Sequence, residues 1–487
     1  MPAARSANRI RQGTEDSCGQ GLSRLSDPRR VLYGRVVKSH RERLSALEAS
    51  FLALERPGLP MHVAGVVLFE ASTHQGGPLD IGDLHRLIRS RLARLPRFRQ
   101  RVKFTPFGLT RAEWTPVARI DLAGHLFHHR LRAPGSPSQL AALCARIHEE
   151  LLPRNRPLWQ MHLIDGVQDH RQALVVKTHH ALADGIGGMQ IAECLFEGRP
   201  SGPRSPGRGL PAPRFACATP SANAWLDGLV GMAFTAASGP FALSSPFNGR
   251  VGGGRVFAMA TLSMDRIRSA KQGLGVSVDD VLLATVAGGL HRYFRRRGLV
   301  APRAMRAMLP ASTRPPSKRY QGGNHVTAVF IDLPLDSGDL STCARRIAVS
   351  KALLKTVHAG LGMSMLIEGA GWLPAPLHEA LVRVAADLPV ANLVLSDVPG
   401  PVEPRFLLGR RIVACYPMLP LPGTIGVSIA AISMGGTMGV GITADSELLP
   451  HPHRLATAIE QTINSFEPAL PRAGARRSER VHGRQAA

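Results

Sequence analysis

A chain of 487 residues with 44% hydrophobic content is too long for one compact core and suits two domains. Sixty Lys and Arg against 35 Asp and Glu leave a formal charge of +25, ten of it in residues 1–43 and 471–487, which suits anionic partners in general. With only 5% aromatic residues and no helix-turn-helix, zinc-finger or RNA-binding signature, nucleic acid is not expected, and the scattered Cys18, Cys144, Cys194, Cys217, Cys343 and Cys415 speak for a reducing compartment without a structural metal.

Residues 1–43 read as a basic, disordered extension; they lack the apolar run of a secretory signal, so export is not expected. From Leu44 to Arg56 the apolar residues recur at helical spacing until Pro57-Gly58 stops them. His62 to Glu70 predicts a buried strand, and Ile81 to Leu95 an amphipathic helix whose arginines form a solvated face. Gln139 to Leu152 predicts a helix, Gln160 to Asp165 and Ala173 to Thr178 strands, and Gly185 to Phe196 a helix. The composition then shifts: Arg199 to Pro213 is dense in Pro, Gly and Arg, and Gly252-Gly253-Gly254 closes the stretch. Within it, Trp225 to Leu243 is mostly apolar but interrupted by Asp227, Gly228, Gly231, Gly239 and Pro240, which fits a cover or a shallow membrane contact better than a span.

The second half repeats the alternation. Strands are expected at Val256 to Thr261, Met305 to Leu309, Val326 to Leu333, Leu393 to Leu395, Gly426 to Ser433 and Thr437 to Ala444. Helices are expected at Met264 to Gln272, Val278 to Arg297, Leu340 to Lys355, Leu377 to Ala386 and His453 to Phe466. The fold class is therefore α+β, with mixed domains at 44–198 and 255–468, a Pro/Gly-rich linker and cover at 199–254, and a basic tail at 469–487.

The chemistry concentrates at His179-His180-Ala181-Leu182-Ala183-Asp184-Gly185, where a strand runs into a small-residue helix start. Side chains alternate along a strand, so only one of the two histidines can face a given cavity. A neutral imidazole suits the removal of a proton from an alcohol and its later return, because its ordinary pKa lies near neutrality. Asp184 is placed to cap or anchor the turn, and Gly185 to keep it clear of a side chain. A second pair, His128-His129, is followed by no Asp-Gly and reads as a surface pair.

The pattern His-His-x-x-x-Asp-Gly resembles that of the acyl-CoA-dependent acyltransferase superfamily, which includes chloramphenicol acetyltransferases, polyketide-associated acyltransferases and peptide-synthetase condensation domains. The wider chain is similar to the bacterial wax ester synthase/diacylglycerol acyltransferases through Leu44-Ser45-Ala46-Leu47-Glu48, Pro60-Met61-His62-Val63, Arg156-Pro157-Leu158-Trp159 and Val278-Asp279-Asp280-Val281. The likeness continues through Leu309-Pro310 with Arg314, Gly323-Asn324 and Asn392-Leu393-Val394-Leu395-Ser396-Asp397-Val398-Pro399-Gly400-Pro401.

The resemblance implies two chloramphenicol-acetyltransferase-like domains with a tunnel at their interface, His180 as general base, and His179 and Asp184 as supports. It also implies acyl-CoA as co-substrate, diacylglycerol or a long-chain alcohol as acceptor, and no metal or other cofactor. Candidate substrate-binding positions are Trp159, Asn324, Asp280, Asn392 and Ser428, although Trp159 reads most simply as a core residue and Asn324 and Ser428 as a turn amide and a buried hydroxyl. Family members usually carry Asn-Asp at Asp279-Asp280, Ser-Asn at Ser396-Asp397 and an Asn-containing strand near Gly426-Val427-Ser428; exchanging amide for carboxylate removes a donor and adds charge. A water-insoluble product implies a cytoplasmic protein peripheral on membrane or lipid bodies. The alternatives are acylation of a sugar or polyketide alcohol, or a weakly active paralogue that binds acyl-CoA or coats lipid bodies.

Overall fold

The computed structural model describes residues 42–72, 76–198, 223–237, 239, 242, 244–252, 254–313 and 324–466. The expected extension up to residue 41, the stretch 199–213, Arg314, Gly323 and the tail from 467 lie outside them.

In the first half, β1 (Glu42–Arg43) leads into α1 (Ala46–Leu54), and β2 (His62–Glu70) is followed by α2 (Ile81–Arg91). Short strands β3 (Gln100–Lys103), β4 (Glu113–Pro116) and β5 (Leu126–Arg130) precede α3 (Pro137–Glu149). The hairpin β6 (Trp159–Val167) and β7 (Arg171–His179) then runs into α4 (Gly185–Leu195). Helix starts follow local chemistry: in α1, Ser45 Oγ accepts the Glu48 N–H at 3.1 Å while the Glu48 carboxylate accepts the Ser45 N–H at 2.9 Å. The same reciprocal capping occurs at Ser136 with Gln139.

After α5 (Ala224–Ala237) come β8 (Arg255–Ser263), α6 (Met264–Leu274), α7 (Val278–Arg296), β9 (Ala304–Ser312) and β10 (Val326–Pro334). Helices α8 (Leu340–Thr356), α9 (Ala359–Ala370) and α10 (Ala375–Ala386) lead to β11 (Leu393–Val398), β12 (Phe406–Leu407) and β13 (Arg410–Met418). The hairpin β14 (Val427–Met434) and β15 (Thr437–Asp445) and helix α11 (Pro452–Asn464) complete the described chain.

Among the described residues two six-stranded sheets form, ordered β12-β13-β2-β7-β6-β5 and β10-β9-β11-β14-β15-β8, beside a small sheet β1-β4-β3. The α+β expectation holds, with one difference in how the halves divide. Strand β13 belongs to the second half by sequence, yet it pairs antiparallel with β2, Tyr416 opposite Val66 and Met418 opposite Ala64. The second core gathers around α7, where every residue from Asp279 to Leu290 is buried. Glycine lets α7 meet α11 closely: a Cβ on Gly289 would sit 2.9 Å from Ile459 Cα.

The helix expected to reach Leu95 ends at Arg91 and tightens into a 3₁₀ turn over Leu92–Arg94. Strands β3, β4, β5 and β13 and helix α9 had no counterpart in the sequence expectations. The first three are short and carry charged or polar residues on one face, which hides their period. No single helix among the described residues is long and apolar enough to cross a membrane.

Candidate active site

The two histidines at the end of β7 face different surroundings, as alternation requires. His179 has no exposed surface; its Nε2 lies 3.3 Å from Glu55 Oε1, and its Nδ1 accepts the Ala181 N–H at 3.0 Å. Glu55, at the end of α1, also meets His62 Nε2 at 3.1 Å and Arg154 Nη2 at 3.2 Å, and accepts the Met61 N–H. Burial alone would raise the Glu55 carboxyl, but the imidazoles of His179 and His62 outweigh it and hold it far below the carboxylate range. Burial pushes His62 itself down to about 4, against the pull of Glu55.

His180 turns the other way. Its backbone N–H donates to Met61 O at 2.8 Å, and its ring stacks on Phe51, centroids 4.0 Å apart and planes within 15°. Nδ1 is buried with no neighbouring residue bonded to it, which leaves Nε2 as the ring nitrogen open to a cavity. Burial pushes this imidazole down to about 4, partly opposed by its own backbone and by Asp184, so it is neutral at neutral pH.

Asp184 caps α4, accepting the Gly187 N–H at 2.7 Å, and its other oxygen accepts the His325 N–H at 3.1 Å from the second half. Asn324 Nδ2 donates to His180 O at 2.6 Å. The turn that carries His180 is thus held from both halves. Gly185 sits where they approach: a Cβ there would meet Val398 Cγ2 at 3.2 Å.

His180, Asp184 and Gly185 line a cavity of about 500 Å³ between the two sheets. Met189, Leu195 and Met434 from one core and Met308, Val394 and Ile425 from another line it, and almost all of its surface is apolar. Cys415 also lines it, but burial pushes its thiol up to about 12, so it stays a neutral thiol there.

The remaining candidate substrate contacts do not line this cavity, each for a visible reason. Trp159 is fully buried, stacked on Phe98 and His125 at 4.7 and 4.1 Å, with Nε1 donating to Phe98 O. Asn324 spends its amide on the His180 carbonyl. Asp280 caps α7 through Ser277 and pairs with Lys351 at 2.7 Å. Asn392 bonds to Asn248 and to the Arg306 N–H, and Ser428 Oγ donates to Pro420 O at 2.7 Å. The departures in the motifs lie off the cavity as well: Lys351 also pairs with Asp279, and Ser396 and Val398 line the cavity while Asp397 between them does not. His128 and His129 bond to Asp165 and His162, away from the cavity.

Sequence reasoning missed Phe51 in the last turn of α1 and Glu55 at the residue that ends it. The signal was there in the adjacent Pro60-Met61-His62, whose partners only the fold supplies.

Family models of the wax ester synthase/diacylglycerol acyltransferase catalytic domain and of the WS/DGAT C-terminal domain match residues 44–239 and 322–467. The chain is 31% identical over 447 residues to a probable diacylglycerol O-acyltransferase of Mycobacterium tuberculosis, covering 87% of this chain and 98% of that one. A second, putative diacylglycerol O-acyltransferase of the same species is 31% identical over 456 residues, covering 87% and 90%. Among solved structures, the wax ester synthase/diacylglycerol acyltransferase of Marinobacter aquaeolei superposes with a TM-score of 0.64 at 24% identity, covering 87% and 98%. The first condensation domain of the calcium-dependent antibiotic synthetase does so with a TM-score of 0.58 at 16% identity, covering 89% and 98%, so the two-domain fold is shared with condensation domains.

Proposed function

The chain belongs to the wax ester synthase/diacylglycerol acyltransferase family, and from that premise we propose that it transfers a long-chain acyl group from acyl-CoA to the hydroxyl of diacylglycerol or of a long-chain alcohol. The observation that carries this reading is a single neutral imidazole, His180, opening onto an apolar cavity between the two halves. Nε2 takes the acceptor's hydroxyl proton as its oxygen attacks the thioester carbonyl. The tetrahedral intermediate then expels the CoA sulfur, which receives that proton, so ester and free CoA leave together. Positioned base catalysis supplies roughly 10²–10⁴-fold, and the thioester is already activated. The apolar walls keep out water, which would otherwise compete as the nucleophile. The scheme calls on acyl-CoA as co-substrate and on no resident cofactor.

A lipid surface fits the outer side of the same cavity. Helix α10 places Val382, Ala385 and Ala386 on the cavity while Leu377, Leu381 and Val384 on its other side are 58%, 47% and 64% exposed. In the turn between α9 and α10, Trp372 is 90% exposed. A helix apolar on both sides suits contact with lipid on the outside and a lipid chain on the inside.

The test is thiol release when the purified protein meets palmitoyl-CoA with diolein or hexadecanol. Release with either acceptor, lost in His180→Ala, supports the reading and identifies the acceptor. Binding of palmitoyl-CoA with no release in the intact protein sinks it in favour of an acyl-CoA-binding paralogue.

A further inference from the structure

Glycines inside helices and strands cost stability, so a buried one asks for a reason. In most of this molecule the reason is contact. A Cβ on Gly231 would sit 2.4 Å from His358 O, on Gly439 2.0 Å from Cys415 O, and on Gly441 1.9 Å from Pro417 O. Gly188 is different. It lies within α4, has an ordinary helical backbone, and nothing outside its own helix comes within 4 Å of where a Cβ would be. The space above it is the cavity itself. Gly65 shows the same pattern from β2, in mid-strand between Val176 and Pro417: it lines the cavity, and a Cβ there would meet only Cys415 Sγ, at an ordinary 3.7 Å.

Two bare positions on different elements, neither required by packing or by backbone angle, expose peptide surface to one apolar space. We propose that Gly188, with Gly65, is a length gauge: a straight hydrocarbon chain lies against these glycines, and their missing side chains set how many methylenes the cavity accepts. The proposal rests on the acyl-transfer reading and deepens it. The chain belongs either to the acyl-CoA or to the alcohol, since both present the same linear alkyl chemistry. Each methylene turned back into water weakens binding about fourfold, so excluding two costs more than tenfold.

Wild type, Gly188→Ala, Gly188→Leu and Gly369→Ala are compared by calorimetric titration with palmitoyl-CoA and octanoyl-CoA and by thermal melting. Gly369 is an exposed helical glycine off the cavity, with nothing near its Cβ position, and serves as the control. Both alanine variants are expected to melt about 2 °C higher, because each replaces glycine in a helix without a clash. Gly188→Leu is expected to weaken palmitoyl-CoA at least tenfold relative to octanoyl-CoA, while Gly369→Ala leaves that ratio alone. If the ratio stays fixed in the titrations but Gly188→Leu discriminates at least tenfold against hexadecanol relative to octanol in thiol release, the gauged chain is the acceptor's. Equal weakening of both thioesters, no length discrimination in either assay, or destabilisation by Gly188→Ala overturns the proposal. Because binding is read without turnover, a protein that gauges chain length but releases no CoA would defeat the acyl-transfer reading and leave this one standing.

Discussion

On the proposed mechanism His180 serves as a base only while its imidazole is neutral, and burial pushes its pKa down to about 4. The neutral form therefore persists as pH falls through the ordinary histidine range and is lost only near 4. Initial-rate kcat/KM is expected to stay flat from pH 8 to about 5, halve near pH 4 and fall about tenfold per unit below that, whereas an acid limb near 6.5 would contradict the assigned burial. Glu55 acts one step back from the chemistry. It is the shared acceptor for His62, His179, Arg154 and the Met61 N–H, and Met61 in turn accepts from the His180 backbone. Glu55→Ala leaves two buried imidazoles and the Met61 N–H without their acceptor, so chemical denaturation is expected to show a loss of roughly 1–3 kcal/mol. At this scale the pair His179-His180 was legible, because alternation along a strand is a local rule. Glu55 was not, because its meaning depends on the end of α1 meeting β2 and β7, which no local pattern encodes.

Among the elements, long amphipathic segments were legible to within a few residues. His62–Glu70 was read to the residue, because a Val- and Leu-rich run bounded by turn signals has few other homes. β13 escaped notice because its Arg410-Arg411 start and Pro417 disguise a strand that sits inside the first sheet. The departure at Asp279 also makes sense at element scale. Lys351 on α8 meets Asp279 and Asp280 on α7, and although burial alone would lower the lysine, the two carboxylates outweigh it and raise its pKa. The extra carboxylate is thus paired within the core and never reaches the cavity. Lys351→Met is expected to cost roughly 3–5 kcal/mol in urea unfolding by stranding two buried carboxylates, and KM for palmitoyl-CoA should stay within twofold of wild type. On α10 and the turn before it, the double change Trp372→Ser with Leu381→Ser should weaken co-sedimentation with phosphatidylcholine vesicles at least tenfold, since each apolar side chain buried in lipid contributes roughly 1.5–3 kcal/mol. Unchanged sedimentation would remove α10 as the lipid-facing element.

Over the whole molecule, buried histidines tie stability to pH. Burial lowers His62, His125 and His180 to about 4 and holds His148 and His162 well below their ordinary value. Unfolding lets each take up a proton below its ordinary pKa of about 6.5, which favours the unfolded chain as pH falls. Their combined effect is absent above that value and grows on acidification toward 4, by about 1.4 kcal/mol per pH unit for each histidine. Urea midpoints are expected to drop steadily from pH 7 to 5. The two halves, legible as repeated α/β alternation, are not separable bodies. A fragment of residues 44–198 would leave the β2 edge that pairs with β13 open, and its far-ultraviolet spectrum and solubility should show an unfolded or aggregating chain. That cross-stitched strand has a kinetic corollary, reinforced by Arg255 Nη2 donating to Gly58 O and by the His325 N–H donating to Asp184. Laced at several points around His180, the lobes are tied against swinging apart like a clamshell. On the proposed acyl-transfer reading a lipid tail then enters end first, and initial rates are expected to fall as the acceptor is made bulkier.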